Sequence, residues 1–336
     1  MISVKRARNL TPLRRAAAVK RFEQSLSVVL LVCLTLAMLS LSGCAKLFGP
    51  VGSQELPLRP TISSPAIRTD GVLRIGVDST NAPFSGLINI GEIDQTVIGI
   101  DVDVAASIAD TLGLKLEIVD IAGLSIDTLL ADGTVDAVMS IDPDTIGFSG
   151  LQVGPYIVSG PALFTIVKST TVPNLDLASL AGTQIAASVG ADSAGTASSH
   201  SLEEIIGPGT TYPEPSLTEA FEALVQNEVA YAAADAINGS YMALEYQDVA
   251  CVKIFGAPIG VYMGVAADNF QLADALTDAL RTIRDNGILK IVYTKWLGPI
   301  SASVVMGSSA ITSQNSAGAA GAIDTGDDLP DPANAG

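Results

Sequence analysis

Basic residues are scarce in this sequence of 336 residues, which has 18 Lys and Arg against 35 Asp and Glu and a net charge of −17. The first 43 positions hold seven of the basic residues and one acidic residue, so the rest of the chain has a net charge of −23. A surface this acidic repels the phosphates of nucleic acids and of anionic lipids. We therefore expect no nucleic-acid partner.

Cysteine and histidine are also scarce, with three Cys and one His. Cys33 and Cys44 lie near the N-terminus, so Cys251 has no partner for a disulfide in the rest of the chain. Cys251 lies in an apolar, strand-like run, where a buried and unreactive thiol is expected. His200 lies in a Ser- and Ala-rich segment that favours a solvated side chain over a general base. Because the motifs G-x-S-x-G, H-E-x-x-H and the P-loop are missing too, we expect no catalytic residues, no metal ligands and no cofactor.

The first 43 residues have the layout of an export signal, with a basic segment, an uncharged stretch from Leu26 to Ser42 and small residues at its end. The stretch is about 17 residues long, which is marginal for crossing roughly 30 Å of hydrocarbon. Residues 41–44, "LSGC", resemble the lipobox of bacterial lipoproteins, in which the cysteine is acylated and becomes the new N-terminus. We expect residues 1–43 to be a lipoprotein signal peptide and Cys44 to carry the lipid. The alternatives are an uncleaved anchor helix and a Tat-type signal at Arg14-Arg15.

Composition divides the rest of the chain into a central region and two flanking segments. Residues 44–69 are rich in Pro, Ser and Gly and are expected to form a flexible tether. Residues 301–336 are rich in Ala, Gly, Ser and Asp and are expected to be a disordered tail. The central region alternates strand-like and helix-like patterns and then repeats that alternation. It predicts an α/β fold of two mostly parallel sheets, each flanked by helices.

Ligands in such folds bind beyond the carboxyl ends of the strands. Four segments follow predicted strands and are candidates for the ligand site: Asp78–Phe84 (which includes Asn81), Ser140–Thr145, Val189–Ser193 and Asp235. Two of these segments come from each half of the central region. The sequence therefore predicts a cleft lined from both sides, as in a hinged binding protein.

Seven segments follow one another between residues 73 and 298: "LRIGVDSTNAPF", "GIDVDVAASIADTLG", "LLADGTVDAVMSI", "PYIVSGPALFTIVK", "LAGTQIAASVG", "AYAAADA" and "DNGILKIVYTKWLG". In this order they resemble the bacterial extracellular solute-binding proteins of family 3, the polar amino-acid receptors of ABC importers. The resemblance implies a two-lobed periplasmic-binding-protein type II fold with the ligand cleft between the lobes. Lobe 1 is expected over 70–166 and 262–300, and lobe 2 over 167–261.

The resemblance also implies roles for individual residues. Phe84 matches an aromatic residue against the ligand, and Asp78 and Ser140 match polar residues that line lobe 1. Gly190 begins a turn that resembles the family's carboxylate-binding turn, and Asp235 matches the acid that receives the ligand's ammonium group.

Some of these residues have an alternative structural role. Asp235 and Asp192 both precede helices and are candidate N-caps. Phe84 is a candidate plug that holds its loop in lobe 1. Asp101 and Asp103 begin a helix and are expected to act as capping and dipole partners, not as ligands.

The sequence departs from the family at the position of the ligand's α-carboxylate. Asp142 and Thr145 stand where the family has a Thr and, three residues later, an Arg, and no Lys or Arg lies between Lys115 and Lys168. Asp192 likewise lies in a turn where hydroxyl residues are usual. Burying a carboxylate without a counter-charge costs several kcal/mol, so a cationic or neutral polar solute is favoured. The alternatives are a shifted alignment around residue 143 and a site that has lost its ligand.

The function that follows is an extracytoplasmic, lipid-anchored receptor that closes two lobes on a small polar solute, an amino acid or a cationic compound, and delivers it to an ABC transporter permease. By the family's habit it is a monomer, held by its lipid at the outer face of the cell membrane. Two alternatives stay open. One is an enzyme similar to cyclohexadienyl dehydratase, and the other is a sensor lipoprotein that transports nothing.

Overall fold

The computed structural model describes residues 58–90, 94–142, 145–146, 148–169, 171–189 and 202–308. Within these ranges the strands form two five-stranded sheets and one hairpin. The hairpin consists of β2 (Gly86–Ile90) and β3 (Asp94–Ile98). No helix in the described part of the chain is long and apolar enough to cross a membrane.

The first sheet contains β1 (Val72–Val77), β4 (Lys115–Asp120), β5 (Ala137–Ile141), β6 (Leu151–Ser159) and β12 (Ile259–Val265), in the order β4-β1-β5-β12-β6. β1 pairs in parallel with β4 and β5, whereas β12 runs antiparallel to β5 and β6.

The second sheet contains β7 (Pro161–Ile166), β8 (Ile185–Ser188), β9 (Thr211–Glu214), β10 (Tyr231–Asp235) and β11 (Val249–Ile254), in the order β11-β7-β10-β8-β9. β8 pairs in parallel with β9 and β10, whereas β7 runs antiparallel to β10 and β11. Both sheets are thus mixed. Parallel neighbours need a long crossover connection, and the strands that arrive directly from the other sheet run antiparallel instead.

Helices flank both sheets, as the sequence predicts. The first sheet packs with α1 (Ile100–Leu112), α2 (Ile126–Ala131) and α5 (Phe270–Asp285), and α6 (Ile288–Leu297) packs on α1 and α5. The second sheet packs with α3 (Leu217–Val225) and α4 (Ala236–Ala243). The helix expected to begin at Asp101 and Asp103 is α1, which ends at Gly113, whose φ of 68° is readily adopted by glycine.

The chain passes between the sheets twice, once at Gly160 between β6 and β7 and once through residues 255–258 between β11 and β12. The two crossings touch, because a Cβ atom on Gly160 would lie 3.2 Å from the carbonyl oxygen of Ala257. The lobe boundaries expected at 166/167 and 261/262 each lie a few residues beyond these crossings. Residues 155–168 contain two strands of different sheets, and Gly160-Pro161 between them indicates a break but not a change of sheet.

The segment before β1 is docked on the first sheet's side of the molecule. Ile67 is fully buried and Ala66 is 3% exposed. The Arg68 N–H donates to Asp136 Oδ1 over 2.7 Å, and the Thr61 N–H donates to the Leu112 carbonyl over 3.0 Å. The tether expected to reach residue 69 therefore ends earlier, because residues 61–69 attach through isolated contacts that leave no periodic pattern in the sequence.

The segment after α6 is also ordered, since residues 299–308 form a helix. Its Val305 is fully buried, Ala302 is 1% exposed, and Ser301 Oγ accepts a hydrogen bond from the Cys251 N–H of β11 over 3.1 Å. The expectation of disorder from residue 301 onward is wrong for 301–308. Small residues lower the mean hydropathy of this segment but allow its helix to approach the second sheet closely.

Candidate functional site

The strand directions bring the carboxyl ends of both sheets to the crossings. In the first sheet β1, β4, β5 and β6 are mutually parallel, and β6 ends directly before Gly160. In the second sheet β8, β9 and β10 are mutually parallel, and Asp235 at the end of β10 pairs with Pro161 directly after the crossing. We call these two adjacent rows of strand ends the cleft edges. The loops that follow them form the candidate site.

The loop after β1 contains three of the residues predicted to bind the ligand. Asp78 is half-buried, and its Oδ1 accepts hydrogen bonds from Thr80 N–H over 2.9 Å and from Thr80 Oγ1 over 2.7 Å. Asn81 is exposed at the same turn. Phe84 is 8% exposed and packs in the main hydrophobic core of the described residues. In this conformation the Phe84 ring fills lobe 1, which is the structural role considered for it.

The most deeply buried acid at this edge is Asp101, in the first turn of α1, which is 1% exposed. Its carboxylate accepts hydrogen bonds from Tyr156 Oη over 2.6 Å, from Ser140 Oγ over 2.7 Å and from Ser85 Oγ over 3.2 Å. Burial raises the pKa of Asp101 to about 6, although these three hydrogen bonds act in the opposite direction. Burial also raises the pKa of Tyr156, and the neighbouring Asp101 carboxylate adds to that shift.

Ser140, at the end of β5, is held by this cluster. Its φ of 59° is unusual for a residue with a side chain and costs about 1–3 kcal/mol of backbone strain. Ser140 Oγ donates to Asp101, and the Ser140 N–H donates to Tyr156 Oη over 3.2 Å. The Asp101 cluster therefore fixes both the backbone and the hydroxyl of a predicted ligand residue.

Asp142 and Thr145 form hydrogen bonds with each other. They lie where the resemblance implies a Thr and an Arg. The Asp142 N–H donates to Thr145 Oγ1 over 2.9 Å, and Thr145 Oγ1 donates to Asp142 Oδ1 over 3.0 Å. Asp142 is exposed, and Ile146 in the same loop is 97% exposed. The loop after β5 thus presents a carboxylate and an apolar side chain.

Asp235 links the two sheets at the crossing. Its Oδ1 accepts hydrogen bonds from the N–H groups of Ile237 and Asn238 over 3.0 and 2.9 Å, which caps α4. Its Oδ2 accepts a hydrogen bond from Ser159 Oγ, on the last residue of β6. The N-cap considered for Asp235 is present, and its contact with a ligand ammonium stays a prediction. Gly190, Asp192, His200 and Cys44 lie outside the described residues.

The sequence from residue 73 to residue 299 matches the family model of bacterial extracellular solute-binding proteins, family 3. The chain belongs to this family. That result and the two-sheet architecture confirm the predicted family and the periplasmic-binding-protein type II fold. Because the family is extracellular, this solute-binding protein is extracytoplasmic.

Solved structures agree on the fold. The protein is similar to a polar amino acid ABC uptake transporter substrate binding protein from Streptococcus thermophilus, with 21% identity over 71% of this chain and 90% of that chain and a TM-score of 0.56. It is similar to the L-cystine solute receptor of Neisseria gonorrhoeae in its unliganded open conformation, with 21% identity, coverage of 69% and 95% and a TM-score of 0.54. It is also similar to substrate binding domain 2 of Lactococcus lactis GlnP in open conformation, with 23% identity, coverage of 68% and 96% and a TM-score of 0.52. No curated protein matches the chain.

The loops that follow the cleft-edge strand ends of this solute-binding protein contain no Lys or Arg. The sequence between Arg74 and Lys253 contains only two, Lys115 and Lys168. Lys115 begins β4 and Lys168 lies just beyond the end of β7, so both are at the strand ends opposite the cleft edges. Lys253 lies one residue before the carboxyl end of β11, the edge strand of the second sheet that β7 separates from β10. The loops that follow the cleft-edge strand ends thus provide no cation for a ligand carboxylate.

Within the described ranges, a cavity of ligand size lies elsewhere in the molecule, and no metal cluster marks another site. A cavity of about 410 Å³ lies at the amino ends of the first sheet's strands, where Arg68, Val135 and Asp136 line it. It faces away from the cleft edges. Among the described residues, no group of three or more His, Cys, Asp or Glu side chains is placed to hold a metal ion.

Sequence reasoning treated Asp101 as a helix-capping residue and did not predict its cluster. The signal was present in the helical period, because Asp101 precedes Val104 and Ala105 by three and four residues and therefore lies on the same buried face. Ser85, Tyr156 and Ser159 gave no local signal. Their roles depend on contacts between distant parts of the chain.

Proposed function

We propose that this protein is the substrate-binding protein of an ABC importer, which closes its two lobes on a small polar solute and delivers it to a membrane permease. The solute is an amino acid or an amino-acid-like, cationic compound. One observation carries the proposal: two sheets direct their strand ends, with polar side chains, toward a pair of adjacent crossings. That arrangement suits binding between lobes and requires no chemical step.

Closure follows from the position of the ligand between the lobes. A solute held between the loops after β1 and β5 and the end of β10 touches both lobes only when they are shut, so it binds the shut state more tightly and raises its population. The crossings at Gly160 and 255–258 lie side by side and serve as the hinge. Asp235 and Ser159 lie next to this hinge, so ligand contact with Asp235 and the angle between the lobes are coupled.

The protein is proposed to act at the outer face of the cell membrane as a monomer. A signal peptide over residues 1–43 is removed, and acyl chains on Cys44 provide the membrane attachment that the acidic surface does not. Mass spectrometry of the protein from a membrane fraction tests this step. The expected N-terminal peptide begins at Cys44 and carries acyl groups, and an unmodified Cys44 would contradict lipid anchoring.

Binding is tested on residues 44–336 with Cys44→Ser, which removes the lipid site. Thermal unfolding is measured with amino acids, polyamines, guanidino compounds and small neutral solutes, because a ligand at 100 times its Kd stabilises the folded state by about 2.7 kcal/mol. Small-angle X-ray scattering should then show a smaller radius of gyration with the stabilising ligand. Turnover of prephenate or arogenate without stabilisation would instead support the enzyme, and no response at all would support the sensor.

A further inference from the structure

Four hydroxyl groups at the cleft edges donate their hydrogen to an aspartate. Thr80 donates to Asp78, Ser140 to Asp101, Thr145 to Asp142 and Ser159 to Asp235. A hydroxyl has one hydrogen and two lone pairs, and an ionised carboxylate only accepts. Once the hydrogen is engaged, each of these pairs has only hydrogen-bond acceptors to offer to a ligand.

Two of the helix starts beside the cleft edges, those of α1 and α4, are occupied as well. At α1, the N–H groups of Ile100 and Asp101 donate to the carbonyls of residues 83 and 84 over 3.1 and 3.0 Å. At α4, the Ala236 N–H donates to the Gly160 carbonyl over 2.8 Å, and the next two N–H groups donate to the Asp235 carboxylate. Amides of this kind are the groups that otherwise bind a carboxylate at a helix start. At these two starts the protein's own acceptors already use them.

We propose that the cleft selects a small amine or guanidine that lacks a carboxylate, because the loops at its edges offer hydrogen-bond acceptors and negative charge and contain no Lys or Arg. This inference rests on the proposed function and names the class of its solute. Asp101 is a positioning residue in this scheme. It takes the hydrogen of the half-buried Ser140 hydroxyl and leaves that oxygen to accept from the ligand.

The protonation state of Asp101 decides what Ser140 offers. When ionised, the Asp101 carboxylate accepts from all three hydroxyl partners, whereas below its pKa of about 6 one oxygen carries a proton and donates, which removes an acceptor position that Ser140 shares with Ser85 and Tyr156. Of the described groups that bond to the Asp101 carboxylate, only Tyr156 is titratable, and its pKa is raised. On the facing helices, Lys295 of α6 bonds to Asp103 and Arg284 of α5 donates to the Pro155 carbonyl. Binding of an amine should therefore weaken as the pH falls through about 6.

The substrate class is tested with matched pairs that differ only in the α-carboxylate: agmatine and arginine, putrescine and ornithine, cadaverine and lysine. Calorimetric titration of residues 44–336 with Cys44→Ser should show at least one amine that binds about tenfold or more tightly than its amino acid. Equal or tighter binding of the amino acids would overturn this inference and leave the receptor function intact. Binding of a neutral solute without binding of any amine would also overturn this inference and leave the receptor function intact. If no solute of the wider panel binds, both proposals are overturned.

The role of Asp101 is tested with Asp101→Asn and Ser140→Ala, and with Asp103→Asn as the matched control on the outer side of the same helix turn. Both test variants should bind the amine about tenfold more weakly at pH 7, and their affinity should no longer change with pH between pH 5 and pH 7. Asp103→Asn should keep that dependence. A pH profile that persists in Ser140→Ala would overturn the role of Asp101, and this variant carries the test if Asp101→Asn does not fold.

Discussion

Asp101 is predicted to make the folded protein less stable as the pH rises, and the size of the effect follows from its burial. Its pKa is 3.8 in an ordinary environment and about 6 in the folded protein. The folded state therefore holds this proton more tightly than the unfolded state does. Its contribution to stability is fully present below pH 3.8 and is lost as the pH rises through about 6.

The difference of about two pKa units corresponds to about 3 kcal/mol at neutral pH, of which about 2 kcal/mol falls between pH 4 and pH 7. Asp101→Asn removes the titrating group. The substitution also changes hydrogen bonds at every pH, so the informative quantity is how the difference in stability between wild type and variant changes with pH. We expect wild type to lose about 2 kcal/mol relative to Asp101→Asn on going from pH 4 to pH 7.

Urea unfolding followed by circular dichroism at pH 4, 5, 6 and 7 measures this quantity, because other carboxyl groups titrate alike in both proteins and cancel. Asp103→Asn removes a carboxylate from the outer side of the same helix turn and controls for the loss of charge. If wild type and Asp101→Asn lose or gain stability in parallel across this range, Asp101 does not titrate as its burial implies. The same conclusion follows if the free energy of unfolding depends on pH identically in Asp101→Asn and Asp103→Asn.

Three further predictions concern stability and reactivity. Ile67→Ala should lower the free energy of unfolding by about 2–5 kcal/mol because the side chain is fully buried. The control Leu58→Ala, at a residue that is 53% exposed, should change it by less than about 0.5 kcal/mol. Equal effects of the two substitutions in urea unfolding would contradict docking of the N-terminal segment. Gly113→Ala should lower the free energy of unfolding more than Gly71→Ala does. Both glycines have a positive φ, which costs an alanine about 1–2 kcal/mol. Only at Gly113 would the new Cβ also lie 2.1 Å from a backbone carbonyl oxygen. Burial raises the pKa of Cys251 to about 12, so iodoacetamide should label this thiol at pH 8 only after unfolding in urea, and rapid labelling of the folded protein would show that β11 is accessible.

Local patterns were sufficient to predict most of the fold. The sequence predicted the start of a helix at Asp101 and Asp103, and α1 begins at Ile100. The order of seven weak segments predicted the family and the two-lobed architecture. The start of α1 and each of the seven segments lie within a window of about 15 residues, where sequence periodicity is informative.

Features that depend on contacts between distant segments were not predictable in the same way. The change of sheet occurs at Gly160-Pro161, a dipeptide that indicates a break between strands but does not show that the next strand joins another sheet. The docking of 61–69 and of 299–308 depends on surfaces formed by residues far along the chain. At the candidate site, the loops could be predicted from the strand ends, but the hydroxyl partners of Asp101 and Asp235 come from β5 and β6 and required the structure.

The helix at 299–308 attaches the C-terminal end of the described chain to the second half of the protein. α6 precedes it and contacts both halves, because Trp296 Nε1 donates to Asp103 over 2.7 Å and the Trp296 ring lies 6.3 Å from the ring of Tyr241 on α4. The helix itself is tied to the second half through Ser301 and Cys251. The C-terminal segment thus adds contacts between the two halves to the two places where the chain crosses between the sheets.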